Sequence, residues 1–102
     1  MKFIKLIILF LLPLGMYAQQ GRITGKIASE GKAVSNANLW LAGTPKGTTS
    51  DSNGNFSIEG VEPGSYILQA TALGFQEFSK EIEVLQNTSF ELKIELEPGN
   101  EN

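Results

Sequence analysis

The stretch Gly47-Thr48-Thr49-Ser50-Asp51-Ser52-Asn53-Gly54-Asn55-Phe56-Ser57-Ile58 decides the fold: short polar residues run into an Asp-x-x-Gly turn and emerge in an apolar alternation. It reads as a β-hairpin. A two-residue turn on Asn53-Gly54 would set Asp51 opposite Phe56, on the face that Phe56 and Ile58 bury, and leave a carboxylate in the core without a partner. A type I turn with Asp51 first and Gly54 left-handed, as a bulge residue, instead sets Asp51 opposite Asn55 on the outer face. There its side chain is free to accept turn amides. The second geometry is the one expected.

Working outward, Gly21-Arg22-Ile23-Thr24-Gly25-Lys26-Ile27 places Ile23, Gly25 and Ile27 on one face and charged or hydroxyl residues on the other, a half-buried strand. Ser29-Glu30-Gly31-Lys32 is turn chemistry. Val34, Ala37, Leu39 and Leu41 then point inward until Gly43-Thr44-Pro45 stops the strand. Glu62-Pro63-Gly64-Ser65 has proline and glycine placed as a type II turn prefers them. Tyr66, Leu68 and Ala70 follow on one face, and Leu73-Gly74-Phe75 breaks the alternation. Phe78, Ile82 and Val84 resume it, with Lys80 on the inward parity, which predicts a bulge or a sheet edge there. Phe90, Leu92, Ile94 and Leu96 close the series with Glu91, Lys93, Glu95 and Glu97 between them.

No helical period persists after residue 18, and turn signals recur about every ten residues, the spacing of an all-β sandwich or barrel. Strands that each hide one face do so most economically sheet against sheet. The expected fold is therefore an all-β, seven-stranded antiparallel β-sandwich spanning residues 19–97. Pro98-Gly99-Asn100-Glu101-Asn102 is expected to be a disordered tail.

Residues 1–18 have the form of an export signal peptide: Lys2 and Lys5, the apolar run Leu6 to Leu14, and Met16-Tyr17-Ala18 before Gln19. The run is short for a bilayer and is interrupted by Pro13 and Gly15, so no membrane span is expected after cleavage. The 102-residue chain has no cysteine, which excludes a disulfide framework and a lipid anchor on an N-terminal Cys, and favours bacterial export. Its formal charge is -3; without Lys2 and Lys5, six basic residues stand against eleven acidic ones, giving -5. Scattered basic residues on an acidic chain disfavour nucleic acid and anionic lipid as partners. The 84 residues left after Ala18 suffice for one small domain, expected to be a monomer.

The residues resemble the carboxypeptidase regulatory-like domain, a transthyretin-like or Ig-like sandwich. The motifs that carry the resemblance are Ile23-Thr24-Gly25-Lys26-Ile27, Gly31, Ala37-Asn38-Leu39, Gly43-Thr44, Gly47-Thr48-Thr49-Ser50-Asp51, Gly54-x-Phe56, Pro63-Gly64-x-Tyr66-x-Leu68 and Leu73-Gly74-Phe75, in that order. Ala33 stands where members commonly have proline. The resemblance implies a module of the kind that follows the signal peptide of TonB-dependent outer-membrane receptors in Bacteroidetes-type bacteria. It implies a periplasmic or outer-membrane location and a protein partner at the cell envelope. The chain would be the front of a longer receptor or a free-standing relative.

The absence of histidine and cysteine removes the commonest general base, metal ligand and thiol nucleophile, and no Gly-x-Ser-x-Gly elbow occurs. An enzyme is not expected, nor a cofactor. Asp51, Asn53 and Asn55 alternate oxygen side chains as a calcium loop does, but Phe56 occupies the sixth position, where that loop needs glycine. Asp51 is read as a turn cap, and Asp51, Gly54, Pro63, Gly64 and Gly74 as structural turn residues. Trp40, between inward Leu39 and Leu41, points outward: it is the candidate contact for a partner or glycan, or else it lies over the sheet beneath a loop.

Overall fold

The structure is a computed structural model and describes residues 20–99. The export signal expected over residues 1–18 lies outside the described residues. The alternating segments form eight strands: β1 (Gly21–Ser29), β2 (Lys32–Ala33), β3 (Asn38–Leu41), β4 (Gly47–Thr49), β5 (Asn55–Val61), β6 (Gly64–Thr71), β7 (Phe78–Val84) and β8 (Ser89–Glu95). One sheet is built on β1, with β5 and the short β2 along one edge and β8 along the other; the second runs β4-β3-β6-β7. The strand beyond the expected seven is β2. Glu30 and Gly31 have φ of 52° and 82°, the two left-handed residues of a tight hairpin turn, and they pair Ser29 with Lys32 and Ala28 with Ala33.

All pairings are antiparallel except one: β8 runs parallel to β1, from Arg22 opposite Ser89 to Ala28 opposite Glu95. The core lies between the sheets. Ile23, Ile27, Phe56, Ile58, Val61, Ile94 and Leu96 come from one side and Leu39, Leu41, Leu68, Ala70, Ile82 and Val84 from the other, all buried. Complete burial of a large aliphatic side chain contributes about 1.5 to 3 kcal/mol. Lys80 shares the inward parity but is exposed. The β6–β7 register runs without a shift, so the cause is β7's place at the sheet edge and not a bulge. The irregularity falls instead on β5, where the pairing with β1 skips between Gly21 and Ile23 and Gly60 takes φ 64°.

At the opening stretch the Gly54 amide donates to the Asp51 carbonyl and the Asp51 amide to the Asn55 carbonyl, both at 2.9 Å, with Gly54 at φ 81°. Asp51 Oδ1 accepts the Asn53 and Asn55 amides, each at 2.9 Å. Yet the stretch is not a hairpin: β4 pairs with β3 in one sheet and β5 with β1 in the other, so the turn is an arch between sheets. Ser50 explains the departure. Its buried hydroxyl donates to the Val34 carbonyl at 2.7 Å and accepts the Ala37 amide at 2.9 Å, while its backbone bonds Ala37 and Asn36. The first arm is thereby tied to the β2–β3 link before the turn begins.

A similar correction applies at Glu62-Pro63-Gly64-Ser65, which carries the chain from β5 back to the second sheet. Gly64 has φ 155°, far from the roughly +80° of a type II turn, and the Tyr66 hydroxyl donates to the Glu62 carbonyl at 2.6 Å. Of the tail expected to be disordered, Pro98 and Gly99 lie among the described residues and make contacts with the preceding loop. The Ala72–Phe75 turn, closed by Phe75 N–H to Ala72 C=O at 3.1 Å with Gly74 at φ 90°, presents polar groups that hold them. Gly99 N–H donates to Gly74 C=O at 2.7 Å, Gln76 Nε2 to Pro98 C=O at 3.1 Å, and Pro98 bridges to Phe75.

Gly54 is constrained twice. Beyond its left-handed φ, a β-carbon there would lie 2.5 Å from the Ile27 carbonyl oxygen, a backbone atom that cannot swing aside. Asparagine, which tolerates the conformation, does not escape the clash. Gly54→Val and Gly54→Asn are both expected to lose about 3 kcal/mol in urea melts, from strain and overpacking together, while exposed Ser52→Val stays within about 0.5 kcal/mol. Asp51→Ala, losing two charge-assisted bonds, is expected to cost about 1 to 3 kcal/mol. Equal, mild effects at positions 52 and 54 would refute the arch geometry.

Candidate functional site

The outward face of the β4-β3-β6-β7 sheet carries the feature singled out in the sequence. Trp40 stands opposite Gly47 on β4 and Gln69 on β6, and Gln69 stands opposite Ser79 on β7. One cross-strand row therefore reads Gly47, Trp40, Gln69, Ser79. A β-carbon on Gly47 would come 3.2 Å from the Trp40 Cβ, so glycine leaves the strip beside the half-buried tryptophan clear. In the next row the Ala42 amide bonds the Ile67 carbonyl at 2.9 Å, and Ile67 is 46% exposed on the same face. Glu81 pairs with Ile67 and Glu83 with Ser65, which puts carboxylates along the β7 side.

The arrangement is an aromatic and aliphatic platform bordered by an amide, a hydroxyl and an acidic margin. It suits a ligand with an apolar face and hydroxyls at its rim, or an apolar side chain of another protein. Sequence parity alone turned Trp40 outward; its neighbours Gly47, Gln69 and Ser79 escaped notice because only strand register brings them together. Parity did hold one usable signal, since Ile67 and Gln69 alternate with inward Tyr66, Leu68 and Ala70.

The other singled-out residues stand at three separate connections: Asp51 and Gly54 in the arch after β4, Pro63 between β5 and β6 with Gly64 opening β6, and Gly74 between β6 and β7. The Asp51 carboxylate is engaged by turn amides, and among the described residues no group of three or more His, Cys, Asp or Glu is placed to hold a metal. The two buried hydroxyls, Ser29 and Ser50, are both bonded to backbone carbonyls. The one ion pair among the described residues, Arg22 with Glu59 at 3.7 Å, is exposed and contributes little.

Comparison with known proteins places these features in a family. The TonB-dependent receptor P3 of Formosa agariphila is 34% identical over 97 residues, a match that takes in 91% of this chain and 9% of the receptor. The chain thus spans less than a tenth of that relative's length. Among solved structures, the minor pilin GBS52 of Streptococcus agalactiae superposes with a TM-score of 0.66 at 16% identity, over 83% of this chain and 47% of the pilin. A chain of a type II Cohesin-X-Dockerin complex from Acetivibrio cellulolyticus gives 0.62 at 22% identity, over 78% and 58%. At such identities these two likenesses concern the fold alone, a β-sandwich. The CarboxypepD_reg-like domain matches residues 23–102, 80 of the 102 residues, and the protein belongs to that family.

Proposed function

We propose that the chain is an exported, non-enzymatic β-sandwich module that acts through protein contacts at the cell envelope, as the periplasmic front of a TonB-dependent outer-membrane receptor or a free-standing relative of one. The observation that carries this reading is the similarity to the Formosa agariphila receptor along 91% of the chain. The export signal read in residues 1–18 supports it, as does a chain without histidine or cysteine. Residues 19–97 are the working module, and no metal or cofactor takes part. The test is to express the full chain with a C-terminal tag in a Bacteroidetes host, fractionate the cells and sequence the N-terminus. Recovery from the periplasm or outer membrane with Gln19 first is expected. Recovery from the cytoplasm with Met1 retained would overturn the reading.

A second reading is favoured by one specific observation, the row Gly47, Trp40, Gln69, Ser79. In it the module binds glycan, a sugar ring stacking on Trp40 while Gln69 and Ser79 meet its hydroxyls. A glycan array should then give hits that weaken about tenfold or more in Trp40→Ala, the loss of roughly 1.4 kcal/mol, with circular dichroism unchanged. Hits that survive the substitution, or an array without hits, would remove this reading.

A further inference from the structure

Among the described residues four sheet edges are left unpaired, and three of them are blunted. β4 has three residues, β5 carries the irregularity at Gly60, and β7 turns a charged lysine, Lys80, toward the inner side. Such devices are how sheets avoid pairing edge to edge. β8 is neither short, irregular nor charged on its inward side: its seven residues, Ser89–Glu95, pair with β1 without a shift and include no proline, and its one guard is the outward row Glu91, Lys93 and Glu95, whose mixed signs can pair as well as repel. Its inward residues Phe90 and Leu92 are only half-buried, so apolar surface lies open along this edge.

We propose that the β8 edge is a self-association surface, on which β8 of a second copy pairs antiparallel with Leu92 opposite Leu92. Backbone parity limits the register and charge selects within it: centring on Phe90 would leave Glu91 against Ser89 and Lys93 against Asn87, with no attractive charge pair. Thr88 C=O accepts from Arg22 N–H and Leu96 N–H donates to Ala28 C=O, so the even-numbered residues bond β1 and the odd-numbered ones direct their amides and carbonyls outward. An antiparallel partner must therefore match odd residues to odd. Centring on Glu91 or Lys93 sets like charges opposite one another. Centring on Ile94 brings Glu91 against Glu97, whose carbonyl the Gln76 amide already occupies. Centring on Leu92 pairs Glu91 with Lys93 twice and Ser89 with Glu95 twice, with no like pair, and lines up Phe90 with Ile94. Opposite charges directly across a ladder stabilise it and like charges destabilise it. The contact is one strand pair wide and therefore weak and concentration-dependent.

The described residues contain both sheets and the whole core, so residues 20–102 can be tested alone. Sedimentation from micromolar to millimolar concentration should show a monomer–dimer equilibrium. Glu91→Lys and Lys93→Glu should each weaken it by about tenfold, because two attractive pairs become repulsive, and the double variant should restore it. The chain has no cysteine, so Leu92→Cys should oxidise to a covalent dimer: residues facing each other at a non-hydrogen-bonded site lie about 4.5 Å apart, within disulfide reach. Phe90→Cys, displaced from its copy along the strand, should not. A protein monomeric at every concentration, charge reversals without effect, a double variant that is not restored, or equal oxidation at positions 90 and 92 would each overturn the proposal, including the case in which β8 serves a different protein.

Discussion

The close approach of Gly54 to the β1 backbone is the constraint on which the rest of the sandwich depends. The Ile27 amide donates to the Gly54 carbonyl at 2.8 Å, and the room above the Ile27 carbonyl admits a hydrogen and nothing larger. Fixing this point fixes how β5 meets β1: Asn55 falls opposite Lys26, Phe56 opposite Gly25 and Ile58 opposite Ile23. A β-carbon on Gly25 would collide with the Leu92 carbonyl oxygen and lie 2.8 Å from the Phe56 ring. Glycine inside a strand ordinarily weakens it; here it makes room for the aromatic ring delivered by the arch. The central strand and the arch are thus two halves of one packing solution.

Moving the chain between sheets raises a separate difficulty, because every crossing interrupts a ladder and exposes backbone polar groups to burial. The chain crosses at residues 34–37, 50–54, 62–63 and 85–88. The buried serines meet that need. Ser50, at the second crossing, satisfies the Val34 carbonyl and the Ala37 amide of the first, and Ser29 donates to the Leu96 carbonyl at 2.8 Å where β1 and β8 end together. A hydroxyl occupies little more volume than a methyl group, yet replacing either serine by alanine would strand a buried acceptor, and for Ser50 a buried amide as well. Leaving such a group unsatisfied costs about 1 to 3 kcal/mol.

What the sequence disclosed and what it hid divide along this line. Period-two alternation placed the core: each residue read as inward, from Ile23 to Leu96, is buried or half-buried except Lys80. Turn chemistry located the connections. Neither reveals which strand an arm will pair with, because a bulged turn in a hairpin and the same turn in an arch use the same residues over the same few positions. The deciding contacts at Ser50 reach back thirteen and sixteen residues. The parallel alignment of β8 with β1 was hidden for the same reason, as it joins segments 67 residues apart. At the other end, composition gave no sign of the bonds that join Pro98 and Gly99 to Gln76 and the distant Gly74 loop.

The candidate contact face shows how these constraints reach function. Its row draws one residue from each of four strands, and Gly47, Trp40, Gln69 and Ser79 are neighbours only while all three ladders keep register. A slip of one residue in any ladder turns that strand's inward set outward, which would carry Trp40 or Gln69 into the core and break the row. Register in the second sheet is held from its ends: Ser50 ties β4 to the segment before β3, and the chain entering β6 from β5 is held by the Tyr66 hydroxyl on Glu62. Both anchors lie on links that lead back to the first sheet. The outer face is therefore held by contacts that the face itself does not contain, so substitutions at Ser50 or Tyr66 act on the row through ladder register, without touching any member of it.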